Sequence, residues 1–223
     1  MNVTLLCSTG LYLEQDGAGL LVDALNAEWP PFYRLPEAVA QRVIRGEPPY
    51  GGVCALVYTH LHPDHYDAGR TRAFLQNHSG CAALLPKDGD PDAQTLRAGP
   101  FTVECHRFVH TPIPYPTIRH NVLFVTAGKT SVYITADAAP DCGRHREILA
   151  GRRADAAFWN AQYLSYPETR ALLSDAAERS FIYHLPADPH NGVCRKCERS
   201  FQRYGAELRN AEPLRAYPAM LTI

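Results

Sequence analysis

Short apolar blocks separated by turn residues dominate the N-terminal part of the chain. Val3 to Leu6 is strand-like, Asp16-Gly17 marks a turn, and Gly19 to Val22 returns before Asp23, so this segment reads as a hairpin apolar enough to be buried. After the Pro30-Pro31 break, Pro36 opens a helix through Val39, Val43 and Ile44, with Gly46 placed to stop it. Val53 to Tyr58 is a nearly continuous apolar run, long enough for a buried strand and too short for an ordinary helix. A helix is expected from Ala68 to Asn77, then a turn-rich stretch around Lys87 to Pro91, then a strand from Phe101 to Val109 that ends at His110. Asn121 to Thr126 and Ser131 to Thr135 flank Ala127-Gly128-Lys129-Thr130 and form a second hairpin, ending at Ala136-Asp137. Helices are expected from Arg144 to Ala150, closed by Gly151, and from Pro167 to Arg179. Ser180 to Tyr183 is a brief strand before His184, and a C-terminal helix runs toward Gly205.

Strands outnumber helices and the two alternate in both halves, which predicts an α/β sandwich with helices on the outer faces of its sheets. No Ser/Gly-rich linker, low-complexity tract or internal repeat divides the chain, so residues 1–223 are expected to form one domain. The 22 basic and 23 acidic residues leave a formal charge of -1, which argues against a protein held to nucleic acid by net charge. Seven scattered cysteines in a chain of this length suit reduced thiols and a cytoplasmic setting better than a disulfide framework. The start of the chain has no basic segment before its apolar run and no long apolar stretch follows, so neither export nor membrane insertion is expected.

The chemistry concentrates in Thr59-His60-Leu61-His62-Pro63-Asp64-His65, directly after the buried Val53 to Tyr58 strand. Imidazole nitrogens and carboxylate oxygens are the usual ligands of zinc and related divalent ions. His60 and His62 fall on one side of an extended chain and can share an ion. The turn at Pro63 redirects Asp64 and His65 toward another, and paired catalytic ions commonly lie about 3.5–4 Å apart. A water held by two cations loses a proton near neutral pH, so a metal-bridging hydroxide and hydrolysis are the expected chemistry.

This segment resembles the T-H-x-H-x-D-H signature of the metallo-β-lactamase-fold metal-dependent hydrolases. The resemblance continues in order through the first hairpin to Leu21-Val22-Asp23, a His at a strand end, Ile134-Thr135-Ala136-Asp137 and Ile182-Tyr183-His184, spanning residues 1 to about 185. It implies an αββα sandwich of two mixed β-sheets flanked by helices, with a metal centre at one edge. Carried over residue by residue, it makes His60, His62 and a later His ligands of one ion, Asp64, His65 and His184 ligands of a second, and Asp137 the bridge. His110 and His120 both precede the Asn121 strand. His110 is preferred as the later His because it ends a strand, leaving His120 as a supporting or substrate-side group. Asp23 resembles a position that supports the metal loop through hydrogen bonds, whereas Asp67 reads as a helix cap. Ala136 stands where the family usually has Gly, a departure that bears on local backbone geometry. Asp64 and Asp137 are the candidate catalytic carboxylates, and His120 is a candidate proton donor if it is not a ligand. Two divalent ions are implied, zinc first, with manganese or iron compatible with the same donors.

Asp137 argues against the true zinc β-lactamases, which lack that residue, and His62 against the flavin-linked diiron relatives, which usually carry Glu there. The chain has no long Gly/Pro-rich arm like that of ribonuclease Z, so large structured nucleic acid is a poor partner and a small-molecule substrate is expected. A phosphodiester or related small ester ranks first because the Asn121 to Asp137 hairpin is similar to the phosphodiesterase-type segment. A thioesterase or lactonase of the glyoxalase II-like type is the runner-up, and a non-catalytic metal-binding sensor is the reading from another class. Cys194-Arg195-Lys196-Cys197 is read as part of the C-terminal helix, and Arg195, Lys196, Arg199 and Arg203 as its solvated face. Tyr115, Trp159, Tyr163 and Tyr166 are candidate pocket aromatics.

Overall fold

The computed structural model describes residues 1–111 and 118–223. Strands β1 (Asn2–Leu5), β2 (Leu11–Gln15), β3 (Ala18–Val22), β4 (Val53–Val57), β5 (Ala82–Leu84) and β13 (Ala219–Thr222) form one mixed sheet, ordered β13-β1-β2-β3-β4-β5. A second mixed sheet joins β6 (Ala93–Ala98), β7 (Phe101–Phe108), β8 (His120–Ala127), β9 (Thr130–Ile134), β10 (Ala154–Trp159), β11 (Ala177–Ile182) and β12 (Ala211–Pro213), ordered β12-β11-β10-β9-β8-β7-β6. The sheets face each other across Leu5, Leu13, Val22 and Val57 on one side and Val103, Leu123, Val125 and Phe158 on the other. Helices α1 (Glu37–Arg45) and α2 (Ala68–Asn77) cover the first sheet through Ala40, Val43, Ile44 and Phe74. Helices α3 (Cys142–Leu149), α4 (Pro167–Ala176) and α5 (Gly192–Tyr204) cover the second through Ile148, Leu172, Leu173, Cys194 and Cys197. The layering is αββα, as expected.

A strand buried on both faces explains why the apolar runs are unbroken. In β8, Leu123 and Val125 enter the core between the sheets while Val122 and Phe124 pack under the helices, so both parities must be hydrophobic. Among the described residues no helix is long and apolar enough to cross a membrane.

The structure departs from the sequence reading where a local signal was weak. The N-terminal hairpin holds an additional strand, because the chain turns between Leu6 and Gly10 before β2 begins, with Leu6 N–H donating to Gly10 O at 2.7 Å. That turn needs glycine: a Cβ on Gly10 would lie 2.6 Å from Cys7 Sγ and 2.9 Å from Ala24 Cα. The helix expected through Arg179 ends at Ala176, because Ala177 to Ile182 is taken up by parallel pairing with β10. The α2 boundaries are as read, and Asp67 caps it by accepting the Arg70 N–H at 2.8 Å, so that carboxylate is structural.

Strand ends carry the chemistry. Asp23 follows β3, the His60 segment follows β4, His110 follows β7, Asp137 follows β9 and His184 follows β11. Three of these exits pass through left-handed backbone at non-glycine residues: Asp23 at φ 51°, Ala136 at φ 45° and His184 at φ 55°. Such conformations cost about 1–3 kcal/mol each and persist where surrounding contacts enforce them. Ala136 thus keeps the backbone geometry that a glycine would adopt freely.

The Ala136–Ala139 loop is held by a buried chain of hydrogen bonds. Tyr163 O–H donates to Ala139 O at 2.9 Å, His145 Nε2 lies 2.5 Å from Tyr163 Oη, and Tyr133 Oη lies 2.7 Å from His145 Nδ1. Since Tyr163 spends its proton on the carbonyl, His145 must donate through Nε2 and accept the Tyr133 proton at Nδ1, which fixes a neutral ring. Burial holds the His145 pKa down to about 3, against about 6.5 in the unfolded chain. The unfolded state therefore binds more protons between those values, and stability present above pH 6.5 is lost as pH falls. In metal-free protein, urea unfolding at pH 6.5 and 5.0 is expected to show an acid loss about 1.5 kcal/mol larger for the wild type than for His145→Gln. Equal losses in both proteins would exclude a neutral buried His145.

Candidate metal centre

Asp23 organises the base of the site. Its Oδ1 accepts the Thr59 N–H at 2.8 Å, and its Oδ2 accepts the Thr59 hydroxyl at 2.6 Å and faces His65 Nδ1 at 3.0 Å. With Nδ1–H of His65 directed at this carboxylate, the Nε2 lone pair is left to face the opposite way. The loop is tied down again by Thr9 Oγ1–H and Asn26 Nδ2–H, which donate to Asp64 O at 2.8 and 3.2 Å. Thr111 N–H donates to Asp137 O and Ala139 N–H to Val109 O, both at 2.8 Å, which ties His110 to the Asp137 loop. Asn160 Nδ2 donates to Ala136 O at 2.8 Å and Ala138 O at 3.2 Å.

Two donor groups result. His60, His62, His110 and Asp137 form one, and Asp64, His65, Asp137 and His184 the other, with the ligand atoms of each within 4.8 Å of one another. In the first group His60 Nε2 lies 3.0 Å from His62 Nδ1 and 3.2 Å from His110 Nε2, and His110 Nε2 lies 3.4 Å from Asp137 Oδ2. In the second, His65 Nε2 and His184 Nε2 are 3.2 Å apart, while His184 Nε2 lies 3.3 Å from Asp64 Oδ2 and 3.2 Å from Asp137 Oδ1. Tetrahedral ligands about 2.0–2.1 Å from an ion stand roughly 3.3–3.4 Å from one another, so these separations fit a common ion in each group. Asp137 belongs to both.

The ionisation states differ between the groups. Burial and the neighbouring imidazoles of His65 and His120 push His60 well below the ordinary histidine range, and burial with His110 lowers His62. Burial also opposes protonation of His184, but Asp137 and Asp64 outweigh it and raise the pKa to about 9. For His65, Asp23, Asp137 and Asp64 likewise overcome burial and hold it well above its usual value. The Asp137 carboxyl, despite its burial, is kept well below the carboxylate range by His184, His110 and His65. In the metal-free protein His60 and His62 are thus held toward their neutral forms, whereas His65 and His184 are held protonated beside Asp64 and Asp137, so a cation entering the second group displaces protons.

His110, and not His120, joins the donor atoms. His120 is fully buried behind them, its ring centroid 5.1 Å from His60 and 5.6 Å from His110. The Cys194 and Cys197 thiols form no disulfide and lie on the buried face of α5, and no metal-holding group among the described residues includes them. Above the donors opens a cleft of about 390 Å³, with Trp29, Phe32, Ala161 and Val193 among its walls and Thr111, Asn160 and Gln162 at its polar side. The pocket aromatics expected from sequence are corrected here: Trp159 and Tyr163 are packed in the core under the helices and Tyr166 is exposed outside the cleft lining, while Tyr115 lies outside the described residues. Trp29, Phe32 and Gln162 carried no motif, although an aromatic on each side of Pro30-Pro31 was a visible sign of a shaped loop.

No protein-family model matches the chain, and no curated protein matches it. Solved structures do. The metallo-β-lactamase fold protein YhfI from Bacillus subtilis is 18% identical over 99% of this chain and 98% of that one, with a TM-score of 0.67. An isothiocyanate hydrolase from Delia radicum gut bacteria is 14% identical over 100% of this chain and 99% of that one, also at 0.67. CmlA, a diiron β-hydroxylase from Streptomyces venezuelae, is 15% identical at 0.68 and is matched by the whole of this chain over 54% of its own length. The chain spans about half the length of that hydroxylase. It has the metallo-β-lactamase fold.

Asp23→Asn keeps one acceptor and loses the charge that orients His65. Zinc affinity measured by calorimetry is expected to fall about 10–100-fold, the usual effect of removing a ligand's outer partner. An unchanged affinity would remove Asp23 from any role in the centre.

Proposed function

We propose that this chain is a metal-dependent hydrolase of small esters. The observation that carries the reading is the pair of donor groups sharing Asp137 at the floor of an open cleft. His60, His62 and His110 would hold one divalent ion, Asp64, His65 and His184 a second, and Asp137 both. Zinc suits the nitrogen-rich set, with manganese or iron accommodated by the same donors. When bound, such ions supply a water-derived nucleophile at neutral pH and polarise the substrate's carbonyl or phosphoryl oxygen.

The chain's own residues do the remainder. Asp23 fixes the His65 ring, and Asn160 and Tyr163 fix the Asp137 loop at the floor of the cleft. Asp64 lines the cleft and is the carboxylate assigned in this reading to pass a proton to a leaving oxygen, whereas His120 is buried away from the cleft and is withdrawn as the proton donor. The open cleft favours turnover over the sensor reading, since a purely structural site is closed by protein ligands. Within the class, phosphodiesters and related small esters rest on the resemblance of the Gly128 hairpin, and thioesters or lactones are the alternative.

Zinc-loaded protein is expected to hydrolyse a chromogenic ester, to lose that activity on chelation and to regain it with added zinc. Asp137→Ala should lower the rate at least about 100-fold and bind fewer than two ions per chain. A protein that holds two ions and turns over no phosphodiester, thioester, lactone or carboxylic ester would sink the hydrolase reading in favour of a sensor.

A further inference from the structure

The polar side of the cleft is already committed to the protein itself. Both donations of the Asn160 amide go to Ala136 O and Ala138 O, and its Oδ1 accepts the Gln162 N–H at 3.0 Å. The Thr111 hydroxyl donates to Gln162 Oε1 at 2.8 Å, which leaves the Gln162 amide nitrogen as the one uncommitted amide donor among the described polar lining residues. No lysine or arginine lines the cleft among the described residues. The rest of the wall is apolar, and it is open to solvent. Trp29 is 50% exposed and Val193 43%, and the Phe32 ring packs edge-on against His184 with centroids 4.1 Å apart.

Large apolar side chains left half-exposed around a donor cluster mark a recognition surface more than a packing accident. Beyond the atoms that the ions would hold, a substrate rich in hydroxyls and other polar groups, such as a nucleotide-like phosphodiester, would strip water from those groups and find a single amide in return. An acyl chain or aryl ring would instead gain from every methylene it buries.

We infer that the substrate is an uncharged carboxylic ester, thioester or lactone whose acyl group is apolar, with Trp29, Phe32 and Val193 as the specificity-determining residues. This rests on the hydrolase reading and narrows it to acyl transfer to water. One water oxygen bonds to the acyl carbon, the C–O or C–S bond breaks, one proton goes to the leaving atom, and the carboxylic acid formed gives its other proton to solvent. The Gln162 amide nitrogen is the donor available to a heteroatom of the leaving group or acyl chain.

Two measurements on zinc-loaded protein separate this inference from the reading beneath it. In the first, kcat/KM is taken for p-nitrophenyl acetate, butanoate and hexanoate. It is expected to rise roughly threefold or more per methylene, carried mainly by KM, and the ladder should flatten in Trp29→Ala and in Val193→Lys. In the second, calorimetry gives Kd for acetate, butanoate, hexanoate and dimethyl phosphate, with no turnover required. Hexanoate should bind at least tenfold more tightly than acetate or dimethyl phosphate, and Val193→Lys should erase its advantage. Trp29 and Val193 are exposed, so melting temperatures close to wild type are expected to confirm folded variants. A flat ladder, or dimethyl phosphate binding more tightly than hexanoate, overturns the inference while leaving the hydrolase intact. A binding ladder without turnover of any ester would overturn the hydrolase reading and leave the apolar wall standing.

Discussion

A carboxylate largely withdrawn from water survives among imidazoles only when each of its oxygens is answered, and Asp137 meets that condition on both sides. Its Oδ2 faces His110 at 3.4 Å, His65 at 3.6 Å and His60 at 3.7 Å, while its Oδ1 faces His184 at 3.2 Å. An unanswered charge at this depth would cost several kcal/mol, so those rings cannot be dispersed without exposing or protonating the carboxylate. The loop around it is correspondingly over-determined. Asn160 holds the carbonyls of Ala136 and Ala138, Tyr163 that of Ala139, and Thr111 that of Asp137 itself. A left-handed Ala136 is tolerable because these contacts leave the backbone little alternative.

Sheet packing explains why the donors meet at all. Both sheets are buried on both faces, so polar side chains have little place along the strands and collect where strands end. The exits of β3, β4, β7, β9 and β11 converge, and segments far apart in sequence supply one cluster. Strain sits in the same places, at Asp23, Ala136 and His184. Donors anchored at strand ends in this way suit ions that demand fixed donor spacing.

Legibility in the sequence followed the strength of local signals. The Thr59 to His65 segment announced its chemistry because four potential ligands fall within seven residues, and the β8–β9 hairpin was plain from its turn. β10 went unread since Ala156 and Ala157 suit helix and strand alike, and only parallel pairing with β9 and β11 decides between them. The polar edge strand β6 is held by pairing with β7, a long-range fact that no local pattern carries. At the site, the choice of His110 over His120 was foreshadowed by strand ends. The support from Thr9, Asn26, Asn160 and Tyr163 was not, because a side-chain bond to a distant carbonyl leaves no trace in spacing.

This fold serves more than one reaction: structures similar to this one include both an isothiocyanate hydrolase and a diiron β-hydroxylase. In this chain the part of the cleft that carries no donor atom is walled largely by apolar side chains. A centre that can attack any activated carbonyl or phosphoryl group gains selectivity from whatever surrounds the rest of the substrate, through contacts that differ between competitors. Trp29 and Phe32, presented on the loop around Pro30-Pro31, and Val193, at the start of α5, come from elements that contribute no donor atom. Selection by the wall can therefore change with those elements while the sheet-edge cluster stays fixed, which is the physical basis of the acyl-ester proposal.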